Sequence, residues 1–343
     1  MKKTALPFTN SEKRIQSANT KVSTSEPAIP IAELSRHIED WLIDGTISEH
    51  SPRTLEVRRH AMDKFLWFLR EHGYAACSLC EIRRFFAYLQ TGHLEPGGRW
   101  GNPHQTKPLR PVTVQTFHKH LRTFFNWLVK QEIVLASPME KIPAIVARPD
   151  QIQPFSEAQL LALFKAAKAS KHKRRDEALL LFLLDTGLRA SEVCNLKIKD
   201  VDFANRRCVV LGKGDKYRSA HFGRTTHKDL WQYVRESGRE PDAPLFLSDR
   251  GTRAGEPLTR SGLFQLVQRL GQRAGIQATR CSPHTFRHTF AIQFLRNGGN
   301  TFTLKEILGH TSLHMTNRYV ALAQADIANQ HRQFSPADRL KRG

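Results

Sequence analysis

The chain has 343 residues, long enough for two domains with cores of their own. Lys plus Arg total 53 against 32 Asp plus Glu, which gives a formal charge of +21 and a pI near 10.2. No apolar run reaches the ~18 residues of a membrane span, and the opening MKKTALPFTNSEKR lacks the apolar stretch of a secretion signal, so a cytoplasmic protein without membrane contact is expected.

The positive charge is shared by both halves. Residues 1–150 hold 21 basic and 15 acidic side chains, and residues 151–343 hold 32 and 17. A polyanion is the natural partner, because each phosphate contact releases counterions. Residues 1–30 are polar and basic without apolar periodicity and read as a mobile tail. Helical spacing begins at Ile31, where Leu34, Ile38, Trp41 and Leu42 share its face. A second helix follows, with Ser51 as cap and Pro52 at its first position. Leu55, Met62, Phe65, Leu66 and Leu69 form its apolar stripe, while Arg58, Arg59, Lys64 and Arg70 lie on the other face. A third helix is expected near Cys80–Thr91. Cys77 and Cys80 form a C-x-x-C, but no second pair at ligand spacing follows, and five cysteines without a leader read as reduced thiols. No metal is expected.

A Gly/Pro-rich loop, Thr91–Pro111, comes next. Its length marks it as mobile or functional, and its Arg99, Lys107 and Arg110 are candidates for phosphate contact alongside Arg58 and Arg59; a merely solvated loop is the alternative. A long helix should span Val112–Gln131. The stretch ASPMEKIPAIVARPDQIQPF, with four prolines, reads as a linker around 146–155. The next helix starts after Ser156, with Gln159 completing a capping box. Beyond it the chain reads as another helix, a β-ribbon (CVVLGKGDKYRSAHF), several more helices to about residue 330, and a short tail over 331–343.

Four pieces of this second part carry chemistry. In LLDTGLRASEVCNL, a buried helix breaks at Thr186-Gly187 and Arg189 follows, placed to fork two phosphate oxygens; Glu192 would hold the next helix start or the arginine itself. In the ribbon, Lys213 and Lys216 sit on a glycine-rich turn and can reach a backbone phosphate or donate a proton; a P-loop is excluded. In CSPHTFRHTFAIQFL, Ser282 and Pro283 start a helix that puts His284, Arg287 and His288 on one face. A His–Arg pair near a helix N-terminus suits an anion, and zinc held by His284 and His288 lacks a third ligand. In LGHTSLHMTNRY, His310 lies in a turn after Gly309, Ser312 caps the next helix, and Tyr319 falls two turns into it. A lone helical tyrosine is usually core or interface; the company of Arg189, Lys213, His284, Arg287 and His310 changes that.

This order of motifs resembles the tyrosine recombinase (phage integrase) superfamily, especially its Xer-like and transposon members. TGLRASEV, the LGKG turn, HTFRH, LGH and a tyrosine nine residues after that histidine are the matching pieces, and they cover about residues 155–325. The resemblance implies a mainly α fold with a small antiparallel β-ribbon, arranged as a two-domain C-shaped DNA clamp. A helical, SAM-like core-binding domain would span 31–145 and an α+β catalytic domain 156–330. It also implies an enzyme: Tyr319 attacks a DNA phosphodiester, forms a 3′-phosphotyrosyl link and releases a 5′-hydroxyl, with no ATP, metal or other cofactor. Arg189, Arg287 and His310 would hold the phosphate, His284 would act as general base, and Lys213 (alternatively Lys216) as general acid. Glu192 and His288 would support the site. The implied partner is double-stranded DNA bearing specific recombination sites, two duplexes being joined by a homotetramer, with a partner recombinase or accessory protein as a further possibility. Integration, excision, resolution and transposition all fit. The competing readings are a catalytically silent architectural or regulatory DNA-binding protein and a type IB topoisomerase or telomere-resolvase-like enzyme.

Overall fold

The computed structural model describes residues 28–93, 97–147, 153–212, 217–249, 254–310, 312–323, 331 and 335–337. The chain divides into two compact units, Met1–Asp150 and Gln151–Gly343, and the division falls inside the expected linker. Of the expected N-terminal tail only residues 28–30 are described. No helix among the described residues is long and apolar enough to cross a membrane.

Among its described residues the first unit is built on four α-helices. α1 (Ile31–Ile47) buries Leu34, Ile38, Trp41, Leu42 and Gly45, the stripe its spacing dictates. α2 (Pro52–Glu71) starts at Ser51, whose hydroxyl accepts the Thr54 N–H at 3.2 Å. α3 (Leu79–Gln90) begins one residue earlier than expected, under a capping box in which the Glu81 carboxylate accepts the Ser78 N–H at 2.9 Å. α4 (Pro111–Lys130) crosses the centre, and its Phe124 ring meets Trp41 at 5.5 Å. A two-residue antiparallel pair, β1 (Ile29–Pro30) with β2 (Ala76–Cys77), closes one edge. Cys77 is buried, its thiol pushed up to about 12 by burial and then by the Glu81 charge, whereas Cys80 is exposed. The C-x-x-C pair therefore does not share an environment.

The Gly/Pro-rich loop departs from expectation. Its described part folds back onto the unit: Gly98 has φ 59°, and a Cβ there would lie 2.0 Å from the Asn102 carbonyl oxygen. That turn drives Trp100 between Trp67 and Tyr88, with ring centroids 5.7 and 5.2 Å away. Arg99 is consequently only 1% exposed and donates to the Thr91 carbonyl at 2.8 Å. It is a structural arginine that staples the loop, and the expectation that it touches phosphate is corrected. Lys107 and Arg110 are exposed. Arg59 is also exposed, forking the Glu39 carboxylate at 2.7 and 2.8 Å, while Arg58 stacks over Trp41 at 4.7 Å.

The second unit packs helices around a small sheet. α5 (Glu157–Lys168) carries the Ser156–Gln159 capping box. α6 (Lys173–Thr186) runs through the core, and α7 (Ala190–Asn195) follows a left-handed turn. The sheet has three antiparallel strands rather than the two of the expected ribbon: β3 (Val201–Asp202), β4 (Arg207–Leu211) and β5 (Tyr217–His221), in that order. Leu211 pairs with Tyr217; Lys213 and Lys216, which fall between them in the sequence, lie outside the described residues. α8 (Arg224–Ser237) packs on α6, and α9 (Arg260–Arg273) on α5 and α7. α10 (Pro283–Arg296), α11 (Thr301–Leu308) and α12 (Leu313–Ala323) form a separate apolar cluster in which Leu295, Leu304, Leu308 and Tyr319 are buried.

Candidate active site

The site forms where three chain breaks meet. The first is at the end of α6. Gly187 adopts the left-handed conformation at φ 59°, and a Cβ there would sit 2.3 Å from the Phe290 ring, so the turn requires glycine. The chain then reverses and delivers Arg189 to the start of α7. The second break is the Ser282–Pro283 cap, which starts α10 one turn before Arg287. The third is Gly309, again left-handed at φ 62°, which ends α11 and turns His310 inward.

Three consecutive carbonyls at the C-terminal end of α11 each accept from a different arginine. Arg218 Nε donates to Ile307 O at 3.1 Å, Arg287 Nη2 to Leu308 O at 2.8 Å, and Arg189 Nη2 to Gly309 O at 3.0 Å. A helix C-terminus is the negative end of the macrodipole, so guanidiniums are stable there. Arg287 also donates to Gly187 O at 2.8 Å and so ties the α6 turn to the α11 turn. Glu192 sits beneath. Its carboxylate accepts the Arg189 N–H at 2.7 Å, Arg189 Nη1 at 2.9 Å, and both terminal nitrogens of Arg218 at 3.0 Å. Burial pushes the Glu192 carboxyl up, but the Arg218 and Arg189 donors outweigh it and hold it below the usual carboxylate range.

Tyr319 is 5% exposed, and its hydroxyl lies 2.8 Å from His288 Nδ1. The His310 ring stacks on it at 6.2 Å and 13°, with His310 Nδ1 2.9 Å from the Thr316 hydroxyl. Burial raises the phenol's pKa, against the opposing pull of Arg287, Arg318 and Arg189, so it is protonated at neutral pH. Burial, then the neighbouring cations and His284, lowers His288 to about 4; burial, then Arg287 and Arg189, lowers His310 to about 4. A neutral His288 can accept the phenol's proton. Arg287 is itself drawn down to about 10 by burial and by Arg189. A buried guanidinium whose pKa is lowered beside a neighbouring cation marks a site that favours an incoming anion.

The histidines give a pH prediction. Their folded pKa values lie below the unfolded 6.5, so the stability they contribute is whole above about 6.5 and is lost as pH falls toward about 4. His118, His120 and His284 shift the same way. Thermal melts should show a lower Tm at about pH 5 than at about pH 7, and His310→Gln should shrink that difference; equal Tm values at both would contradict it.

The profile of the phage integrase family matches residues 153–326. Tyrosine recombinase XerC of Lacticaseibacillus casei is 30% identical over 315 residues, which cover 90% of this chain and 98% of that relative. The chain belongs to the phage integrase family. It is a tyrosine site-specific recombinase, as the order of its motifs implies. XerC of Bacillus pumilus is similar as well, 32% identical over 301 residues that cover 84% of this chain and 92% of that one. The fold is shared with the integrase of transposon Tn1549 solved with a circular intermediate DNA, with a TM-score of 0.65 at 18% identity and cover of 89% and 99%.

Within this tyrosine recombinase the second unit brings together Arg189, Glu192, Arg287, His288, His310 and Tyr319. Two findings differ from the sequence reading. The phenol's hydrogen bond goes to His288, one helical turn beyond His284, to which the sequence assigns the base's part; His284 is exposed, its ring 6.1 Å from that of His288. The second is Arg218, absent from the expected set. The signal for it is in the strand: β5 alternates Tyr217 and Ser219 outward with Arg218 and Ala220 inward, and an inward arginine on a strand needs a buried anion.

Proposed function

We propose that Tyr319 is the nucleophile of strand exchange. The phenolic oxygen bonds to a DNA phosphorus, the bond to the 5′-oxygen breaks, and a 3′-phosphotyrosyl link remains. The phenol's proton goes to a histidine, and His288 stands at hydrogen-bond distance for it. The leaving 5′-oxygen takes a proton from Lys213, or from Lys216 on the same turn. Arg189 and Arg287 neutralise the charge that grows on the nonbridging oxygens; a guanidinium has five donors, and the bonds described use two on each. His310 and the exposed His284 add donors to the same phosphate. A 5′-hydroxyl from a second strand then attacks the phosphotyrosine and reverses the chemistry, so bond energy is conserved and no ATP is needed. The observation that carries this reading is the buried phenol held against a neutral histidine beside paired arginines.

Double-stranded DNA is the substrate. The Met1–Asp150 unit serves as the core-binding domain, with Arg59, Lys107 and Arg110 on its surface for backbone contact. Four protomers assemble on two duplexes in the cytoplasm, bound to the nucleoid. Binding should be dominated by phosphate contacts, given the +21 charge. Affinity for a duplex is expected to fall on the order of 1,000-fold between about 50 and 200 mM salt. Titration by fluorescence anisotropy checks this, and an affinity independent of salt would contradict it.

A further inference from the structure

We infer that Arg218 is a positioning residue for strand cleavage, acting through Glu192 on Arg189. Four observations converge on it. Its guanidinium forks the Glu192 carboxylate with both terminal nitrogens at 3.0 Å, a planar match that lysine cannot make. Its Nε donates to Ile307 O, so the same side chain grips α11 one residue before the carbonyl held by Arg287. A Cβ at Gly309 would meet its Nε at 3.1 Å, so the turn that presents His310 lies against this guanidinium. Its side chain is 15% exposed and that of Glu192 is 4%, so the pair is shielded from water and does not behave as a loose surface ion pair.

The geometry assigns a division of labour. Glu192 is shared between two arginines: Arg189, placed to hold the phosphate, and Arg218, placed beneath. Without Arg218 the carboxylate is left with Arg189 as its only charged partner of the two. It would then draw that guanidinium down and away from the phosphate. Arg218 keeps Glu192 saturated and still, and leaves Arg189 donors for the substrate. It stands on β5, the strand that follows Lys213 and Lys216 in the sequence, so the pair also ties the sheet to the arginine side of the site.

The inference rests on the reading of Tyr319 and Arg189 given above, and the test separates the two. Cleavage is followed as covalent adduct formed on a nicked duplex, with an ordinary 5′-oxygen leaving group and with a 5′-bridging sulfur that leaves without a general acid. The unsubstituted protein must form adduct on the ordinary duplex; if it does not, the reading of the site fails and this inference falls with it. Arg218→Lys is expected to bind DNA with unchanged affinity and to cleave on the order of 100-fold more slowly, the scale of a misplacement of about 1 Å. The sulfur leaving group should not restore the rate, because the defect lies at the phosphate-holding arginine and not at the lysine turn. Glu192→Gln/Arg218→Gln removes both charges together, avoids stranding a buried carboxylate, and should lose no more than Glu192→Gln alone. An adduct from the unsubstituted protein combined with an unaltered Arg218→Lys rate, a rate restored by sulfur, or additive losses in the double variant would each overturn the assignment.

Discussion

Tyr319→Phe is expected to bind DNA as the unsubstituted protein does and to form no covalent adduct with it. The substitution removes one oxygen and leaves the ring in place among Leu295, Leu304 and Leu308. The fold should lose only the hydroxyl's bond to His288, about 1 kcal/mol. Chemistry should lose its nucleophile, a change on the order of 10⁶-fold in rate where no other group takes over. Binding isotherms and denaturing gels of the same samples separate the two effects. An adduct of full yield in the phenylalanine variant would remove Tyr319 from the reaction.

Arg287→Ala should be nearly as damaging, and for two reasons at once. Arg287 is 5% exposed and bridges Gly187 O to Leu308 O, so alanine leaves two carbonyls without their donor and disconnects the α6 turn from the α11 turn. Loss of charged hydrogen bonds of this kind costs about 1.5–3 kcal/mol each, which should show as a lower Tm. Loss of a preorganised cationic donor at the phosphate should cost about 10²–10³ in cleavage rate beyond any loss of folded protein. Arg287→Lys should recover part of the stability, since it keeps the charge, but little of the rate, since one ammonium cannot reach both turns and the phosphate. Full activity in Arg287→Ala, measured on folded protein, would show that the phosphate is held elsewhere.

The helices were legible because their causes are local. Apolar residues three and four apart, Ser51 with Pro52, the Ser156–Gln159 box and the Ser282–Pro283 start each fix an element from its own residues. Glycine or proline announces the chain breaks that deliver Arg189, Arg287 and His310, whereas Tyr319, two turns into α12, was marked by its spacing from His310. Which of the site residues touch was not legible. His284 and His288 lie on one face of α10, and only the packing of α12 on α10 selects His288 for the phenol. The burial of Arg99 was equally hidden: a Gly-rich loop reads as solvated until Gly98 turns it back over Trp100. Arg218 lies two residues after Lys216, and its inward register in the strand is the one sequence signal for it.

The most direct test digests the covalent protein–DNA complex, after nuclease trimming, with trypsin and maps the modified peptide by mass spectrometry. Arg318 directly precedes the nucleophile, so cleavage releases Tyr319–Arg332, YVALAQADIANQHR, which holds a single tyrosine. A nucleotide remnant on that peptide, joined through a 3′-phosphate, is the result expected here. A remnant on any other tyrosine peptide, or on a serine, would contradict the account.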